Sequence, residues 1–126
     1  MDSFIKEGSK LIPSIDFNPE SGEFKVSGRM VSVAGEGYEY FKPLMEWVNQ
    51  YALNPAKKTT VDVDLEYCSS GGIMILYQIF KILDVVYKQG NEVETVWHYY
   101  LEDEDIEEKG SQFQDLIHFP FKVIPY

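Results

Sequence analysis

The sequence predicts an α/β domain in which helices cover a mixed β-sheet mainly on one face. Three observations support this fold class. Val61, Val63 and Leu65 alternate with acidic residues, which is the period of a half-buried strand. Residues 38–52 and 71–89 carry apolar side chains at helical spacing. In the later part of the chain helices separate the strands, which is typical of parallel strands joined by right-handed crossovers.

The N-terminal part of the chain predicts a β-hairpin preceded by a polar arm. Residues 1–10 are mixed and polar, and we interpret them as a loose arm. Residues 12–17 suggest a short strand and residues 23–30 its return strand, because the segment between them is rich in turn formers. Lys25 and Arg29 lie on the polar side of the return strand. We expect them to pair with acidic residues of the central strand if the two strands are neighbours.

A first helix is predicted after a loop with two glycines, which covers residues 32–37. The helix covers residues 38–52, and one side of it is buried. That stripe consists of Tyr38, Phe41, Leu44, Met45, Val48 and Tyr51. Pro43 predicts that the regular helix begins only a few residues earlier, because proline is tolerated in a first helical turn and not deeper. Asn54 and Pro55 end the helix.

The central strand and the helix after it carry the clearest patterns in the chain. Residues 59–67 alternate apolar and acidic side chains, and this pattern places Tyr67 on the inward face. The helix over residues 71–89 has a broad core side. Its inward residues are Ile73, Ile75, Leu76, Ile79, Phe80, Ile82, Leu83 and Val86. Gly90 and Asn91 close this helix.

The C-terminal part of the chain adds two strands and a helix. A strand covers residues 92–99, and the acidic run 102–108 opens a helix that continues to about residue 117, because the helix dipole favours carboxylates in a first turn. The inward residues of this helix are Ile106, Phe113, Leu116 and Ile117. Residues 121–124 form a terminal strand. The element order is β-β-α-β-α-β-α-β, and residues 1–126 form a single domain.

The charge and composition exclude several classes of function. The 126 residues carry a formal net charge of −10, and an acidic surface repels nucleic acids and anionic membranes. Cys68 is the only cysteine in the sequence, so an internal disulfide is impossible. We find neither a signal peptide nor an apolar run that approaches the length of a membrane span. The sequence therefore predicts a cytoplasmic protein that binds no nucleic acid and does not insert into a membrane.

The turn between the central strand and the second helix is the strongest candidate for a functional site. It reads Cys68-Ser69-Ser70-Gly71-Gly72. Glycine tolerates the backbone angles of a sharp turn, and a serine just before a helix can cap it. The hydroxyl is then exposed at the positive end of the helix dipole, where a phosphoryl group is accommodated electrostatically. For Ser70, helix capping alone is the simpler interpretation.

An enzyme with a nucleophile in this turn is an alternative interpretation. A reactive Cys68 thiol needs a depressed pKa and a base nearby, and nothing in the sequence brings His98 or His118 to it. Ser69 and Ser70 lack the leading glycine of the Gly-x-Ser-x-Gly nucleophile elbow. We therefore predict no catalytic residues.

We also predict no cofactor and no metal ion. Asp62, Asp64 and Glu66 share one strand face. Alternate residues along a strand are too widely spaced for one ion to engage all three without other ligands, so a solvated sheet face is favoured over a cation site. The sequence contains neither of the glycine-rich phosphate-binding motifs.

The second helix carries a further group on the side away from its apolar stripe. Met74, Tyr77 and Lys81 lie there, after the serine turn. Exposed methionine and tyrosine side chains beside a modifiable hydroxyl suit a protein interface. Coverage of a neighbouring loop explains Met74 and Tyr77 equally well.

Several motifs resemble those of known families. The turn Ser69-Ser70-Gly71, after a strand and before an apolar helix, resembles the Asp-Ser-Ser-Gly turn of STAS domains, which include the bacterial anti-sigma factor antagonists. Over nearly the whole chain the sequence is similar to the SiaC family of regulatory phosphoproteins. The motifs that carry this likeness are Pro13-Ser14-Ile15-Asp16-Phe17-Asn18-Pro19-Glu20-Ser21-Gly22, Phe41-Lys42-Pro43-Leu44-Met45-Glu46-Trp47, Trp97-His98-Tyr99-Tyr100 and Phe119-Pro120-Phe121.

The resemblance implies a STAS-like fold and a non-enzymatic protein that acts by partner switching in a bacterial signalling pathway. It implies a serine/threonine protein kinase that phosphorylates one hydroxyl at the turn and a metal-dependent phosphatase that removes the phosphate. By position the acceptor is Ser70, with Ser69 as the second choice. The partner-binding residues are then Ser69, Gly71, Met74, Tyr77 and Lys81. The expected effector is a diguanylate cyclase, which the unphosphorylated form binds and activates in the best-known system of the family. A constitutive interaction module is the remaining alternative.

Overall fold

The computed structural model describes residues 1–31 and 36–126, and in these residues it contains six strands and three helices. The strands are β1 (Phe4–Lys6), β2 (Ser14–Phe17), β3 (Glu23–Met30), β4 (Lys58–Cys68), β5 (Glu92–Tyr99) and β6 (Phe121–Pro125). The helices are α1 (Glu36–Leu53), α2 (Ser70–Lys88) and α3 (Glu104–Leu116). The predicted loop over residues 32–37 falls mostly outside the described residues.

The strands lie in sequence order across one sheet. β1, β2 and β3 pair antiparallel, and β3, β4, β5 and β6 pair parallel. A helix makes each crossover in the parallel half, as expected for parallel neighbours. This arrangement confirms the predicted mixed α/β fold, and the order of elements from β2 to β6 is the predicted one.

β1 shows that the loose arm predicted for residues 1–10 is wrong. In this strand Phe4 lies opposite Phe17 of β2. The ring of Phe4 also packs edge-on against Trp47 of α1, with 6.3 Å between centroids. The Trp47 indole N–H donates a hydrogen bond to the carbonyl oxygen of Asp2 at 2.8 Å. A distant tryptophan therefore orders the N-terminus, and the local polarity of the first residues does not reveal this contact.

All three helices begin and end within two residues of their predicted bounds. Pro43 lies inside α1, deeper than the first turn. The prediction that α1 begins only a few residues before Pro43 is therefore wrong. Pro43 has no backbone N–H, so α1 lacks one helical hydrogen bond. The burial of apolar side chains of α1 in the core offsets this loss. These side chains are Phe41, Leu44, Val48 and Tyr51.

The core lies between the helices and one face of the sheet. The buried face of β4 and β5 consists of Thr59, Val61, Val63, Leu65, Val93, Thr95, Trp97 and Tyr99. α2 covers this face, with Ile75, Leu76, Ile79, Phe80, Leu83 and Val86 buried. At 19 residues α2 also has the length and hydropathy of a membrane span, contrary to the expectation that no apolar run approaches that length. Core helices of globular proteins share these properties, and α2 buries its apolar side inside the fold.

α3 ends differently from the prediction. Its Ile106 and Phe113 are buried, as predicted. Leu116 is 58% exposed, so its predicted inward position is wrong. The helix ends at Leu116, and the extended backbone of Ile117 turns the Ile117 side chain into the core instead.

The outer face of the sheet is polar, as predicted, but its contacts differ from those expected. Lys25 lies opposite Asp62, which confirms that β3 and β4 are neighbours. Asp62 instead contacts His98 of β5, at 3.2 Å between Oδ1 and Nε2. The guanidinium of Arg29 lies over the ring of Tyr67, 5.1 Å from its centroid, rather than against a strand carboxylate.

Candidate functional site

A β-bulge determines how β4 enters the serine turn. The register between β3 and β4 shifts between Gly28 and Arg29, which leaves Glu66 as the extra residue of β4. Gly28 has a φ of +96°, which glycine adopts readily. The extra residue reverses the alternation of side chains, so Tyr67 is 40% exposed and Cys68 is completely buried. The predicted inward position of Tyr67 is therefore wrong.

Ser69 is the residue that caps α2. Its N–H donates to the carbonyl oxygen of Met30 at 2.9 Å, and its Oγ accepts a hydrogen bond from the N–H of Gly72 at 3.1 Å. Its backbone is extended, with φ −72° and ψ 169°, as is usual for an N-cap residue. The capping role considered for Ser70 therefore belongs to Ser69.

Ser70 is the first residue of α2, and its side chain is exposed. The N–H groups of a first helical turn have no acceptor within the helix, and the dipole places partial positive charge there. No residue in the first turn of α2 is acidic. The exposed hydroxyl of Ser70 therefore lies where an added anionic group is electrostatically favoured.

Gly72 holds the start of α2 close to the sheet. A Cβ at this position would be 2.9 Å from Sγ of Cys68 and 3.0 Å from both Cγ and the carbonyl oxygen of Met30. Close-packed interiors do not tolerate such contacts without displacement of a neighbour. Gly72 therefore fixes the position of Ser70 relative to β3 and β4.

Cys68 is placed as a core residue rather than as a nucleophile. Its side chain is inaccessible to solvent, and Sγ lies 3.7 Å from the carbonyl oxygen of Ser69. Burial raises the pKa of the thiol to about 12, an effect that the nearby Lys109 ammonium offsets only in part. The thiol is therefore protonated at neutral pH, whereas a nucleophilic cysteine requires the thiolate.

Both histidines are engaged elsewhere. His98 pairs with Asp62 on the outer face of the sheet. His118 donates its backbone N–H to Oδ1 of Asp84 at 3.1 Å, and its Nδ1 lies 2.6 Å from Oδ2. Asp84 is only 4% exposed, in the middle of α2, and the sequence analysis did not single it out. This pair ties α2 to the segment before β6, and it gives Cys68 no base.

The acidic residues of β4 belong to the polar outer face. Asp62 pairs with His98 as described above, and Asp64 lies close enough to the Tyr126 hydroxyl to affect its pKa. Burial, and then this contact, raise the pKa of Tyr126. Within residues 1–31 and 36–126 no group of three or more histidine, cysteine or acidic side chains is arranged to hold a metal ion.

Met74, Tyr77 and Lys81 follow Ser70 along one side of α2. Met74 is 56% exposed. Tyr77 is half-buried and stacks on Phe113 of α3, with 6.5 Å between ring centroids. The ammonium of Lys81 lies 5.8 Å from the centroid of the Tyr77 ring. Tyr77 thus packs against α3 and remains partly exposed on the same side of α2 as Ser70.

Lys109 of α3 also reaches the serine turn, and the sequence analysis missed it. Its Nζ donates to the carbonyl oxygen of Cys68 at 2.6 Å and to Asp105 at 2.8 Å. It lies 5.9 Å from the centroid of the Tyr67 ring, which Arg29 also approaches. The only signal in the sequence is the four-residue spacing of Asp105 and Lys109, which predicts a pair within α3. That spacing gives no indication of contact with the turn.

The fold and the turn together define a class of protein: a mixed α/β domain that presents an exposed serine at the start of its second helix. Comparison with known proteins assigns the family. Residues 6–126 match the model of the SiaC family of regulatory phosphoproteins. This chain belongs to the SiaC family.

Individual proteins and solved structures are similar to this chain over nearly its whole length. An uncharacterised protein of Pseudomonas aeruginosa strain UCBPP-PA14 is 24% identical over 116 residues, which are 92% of this chain and 90% of the relative. The structure of SiaC of Pseudomonas aeruginosa superimposes with a TM-score of 0.88 at 21% identity, over the full length of both chains. SiaC in its complex with the diguanylate cyclase SiaD gives a TM-score of 0.86 at 22% identity, covering 98% of this chain and 99% of the other. At these identities the structural matches establish the fold.

Proposed function

We propose that this protein is a non-enzymatic regulatory phosphoprotein of a bacterial partner-switching pathway, reversibly phosphorylated on Ser70 in the cytoplasm. One observation carries the proposal. The side chain of Ser70 is exposed at the first residue of α2, while the hydroxyl of Ser69 is engaged as the cap. A kinase can reach the hydroxyl of Ser70 without unfolding α2. The hydroxyl of Ser69 is engaged in the cap, so Ser69 is the second choice.

A phosphoryl group on Ser70 would change the surface and leave the core intact. It adds about −1.5 to −2 charges at neutral pH next to the first-turn N–H groups. The affected surface consists of Ser69, Gly71, Met74, Tyr77 and Lys81. A partner that packs on methionine and tyrosine side chains would then meet a desolvated charge, which weakens binding.

The proposed effector is a diguanylate cyclase. SiaC of Pseudomonas aeruginosa is described as the activator of the diguanylate cyclase SiaD, and this chain shares its family and fold. We propose that the unphosphorylated form binds such a cyclase. A serine/threonine protein kinase and a metal-dependent phosphatase would set the level of phosphorylation. The buried thiol of Cys68 and its raised pKa support a role without catalysis.

The test adds three forms of the protein to purified diguanylate cyclases of the same organism and measures formation of cyclic di-GMP. The forms are wild type, Ser70→Ala, and protein with phosphoserine installed at position 70 during translation. Wild type and Ser70→Ala should activate one cyclase equally. Phosphoserine at position 70 should raise the concentration of protein needed for half-maximal activation by about tenfold or more, which corresponds to about 1.4 kcal/mol of binding free energy.

The matched control carries phosphoserine at Ser21, an exposed serine in the turn between β2 and β3. It should behave as wild type. Equal activation by all forms would identify a constitutive interaction module and reject the switch. Failure of the wild type to activate any cyclase would reject the proposed effector.

A further inference from the structure

Lys109 of α3 reaches the turn that precedes Ser70, where its Nζ contacts the carbonyl oxygen of Cys68. Ser70, Met74 and Tyr77 recur at the spacing of one side of a helix. Tyr77 stacks on Phe113 of α3. Lys109 precedes Phe113 by one helical turn and therefore lies on the same side of α3, closer to the start of α2.

The contact of Lys109 with Cys68 brings its ammonium within reach of Ser70. Nζ lies 2.6 Å from the carbonyl oxygen of Cys68. Ser70 is two residues further along the chain, and two residues span at most about 7 Å. The lysine ends in a point charge on a flexible four-carbon stem, and phosphorylation extends the serine towards solvent. A phosphoryl oxygen and the ammonium can therefore meet without movement of either helix.

The present partners of Lys109 are weaker than a phosphoryl group. The carbonyl of Cys68 is neutral. The side chain of Asp105 is 64% exposed, so water screens its attraction for the ammonium. The side chain of Lys109 is only 21% exposed, which keeps its charge beside the turn. A phosphoryl group carries about −1.5 to −2 charges and forms stronger charge-assisted hydrogen bonds than a neutral acceptor does.

We propose that Lys109 binds the phosphoryl group of phosphorylated Ser70 and releases Asp105. This inference rests on the proposed function and adds the residue that binds the phosphoryl group. Lys109 acts as a positioning residue: it holds the phosphoryl group beside the start of α2, next to the partner-binding residues proposed on that helix. The released carboxylate of Asp105 makes the same region more acidic.

The test measures the second ionisation of the phosphoserine by ³¹P NMR. Phosphoserine is installed at position 70 during translation, and the pKa is read from the pH dependence of the phosphorus shift. A nearby cation favours the dianion, so Lys109→Gln should raise the phosphoserine pKa by about half a unit to one unit. Asp105→Asn should lower it, because a neighbouring negative charge disappears. Lys109→Arg should preserve the wild-type value.

The matched control is Lys88→Gln, which removes the same charge from the far end of α2, about 27 Å from Ser70 along the helix. A shift for Lys109→Gln no larger than that for Lys88→Gln overturns the proposal. If amide spectra show that Lys109→Gln disturbs the fold, the Asp105→Asn variant serves as the test instead. An unchanged phosphoserine pKa in that variant overturns the proposal. The measurement needs no kinase or effector. A negative result therefore leaves the proposed function intact, and the proposed function fails separately in the cyclase assay.

Discussion

The starts of α2 and α3 differ in whether acidic residues offset the positive end of the helix dipole. α3 is capped by Asp103, whose Oδ1 accepts the N–H of Ile106 at 3.1 Å. Its first turn contains Glu104, Asp105 and Glu107. α2 is capped by the neutral Ser69, and no residue of its first turn is acidic. Carboxylates compensate the dipole of α3 permanently. The start of α2 lacks such compensation, which suits a negative group that is added and removed.

The two helices also share a feature, because each approaches the sheet through a glycine. A Cβ at Gly110 of α3 would lie 2.5 Å from Cδ1 of Trp97, and a Cβ at Gly72 of α2 would lie 2.9 Å from Sγ of Cys68. Each helix therefore packs closely on the sheet at its glycine, near the start of α2 and in the middle of α3. The difference between them lies in charge rather than in packing.

The largest effect is expected from substitution of these glycines. Gly110→Ala should lower the free energy of unfolding by about 3 kcal/mol, because the Trp97 ring is large and its N–H is held by the carbonyl oxygen of Ile106 at 2.9 Å. Gly72→Ala should cost about 1–2 kcal/mol, since its contacts are longer. Urea denaturation measures both values. A neutral Gly110→Ala substitution would show that α3 is not packed as described.

The next effect concerns Cys68 under the start of α2. Its thiol pKa rises from 9.0 in the unfolded chain to about 12 in the fold. The stabilisation is therefore complete below pH 9, and it is lost as the pH rises towards 12. In this range the free energy of unfolding of the wild type should fall, relative to Cys68→Ala, by about 1.4 kcal/mol per pH unit. Parallel pH profiles of the two proteins would show that the thiol is not buried.

The two capping residues should have similar effects. Ser69→Ala removes the acceptor of the Gly72 N–H, and Asp103→Ala removes the acceptor of the Ile106 N–H. Each substitution should cost about 1 kcal/mol in urea denaturation. High salt should reduce the cost of Asp103→Ala more than that of Ser69→Ala, because only the aspartate carries a charge. The opposite salt dependence would contradict the comparison of the two helix starts.

The smallest effects should come from exposed charges in the first turns. Ser70→Asp places a carboxylate at the uncompensated start of α2 and should stabilise the protein by about 0.3–1 kcal/mol at low salt. Glu104→Gln removes one of the three acidic residues in the first turn of α3 and should cost at most about 0.5 kcal/mol. Thermal denaturation at low and high salt measures both. Destabilisation by Ser70→Asp would mean that the start of α2 does not accept negative charge.

Local periodicity predicted most of the fold. The bounds of β5 match the prediction at both ends, and buried and more exposed side chains alternate along the strand without interruption. Tyr67 was misplaced because the bulge at Glu66 depends on the register with β3. Leu116 was misplaced because a helical pattern does not reveal where the helix ends. The strand in residues 1–10 depends on Trp47, which is distant in the chain.

The candidate site was predictable only in part. The strand, the two serines and the glycines locate the turn, but capping interactions decide which serine is exposed. The contact of Lys109 with the turn joins residues 41 positions apart, and Asp84 with His118 joins residues 34 positions apart. No local pattern encodes such tertiary contacts.

The most direct test of the central claim is fragment mass spectrometry of the protein isolated from its native cells with phosphatases inhibited. The account predicts one phosphoryl group on Ser70, its loss in Ser70→Ala, and its retention in Ser69→Ala. A phosphoryl group on Ser69 in the wild type, or an unmodified turn under conditions in which the effector is silent, would contradict the account.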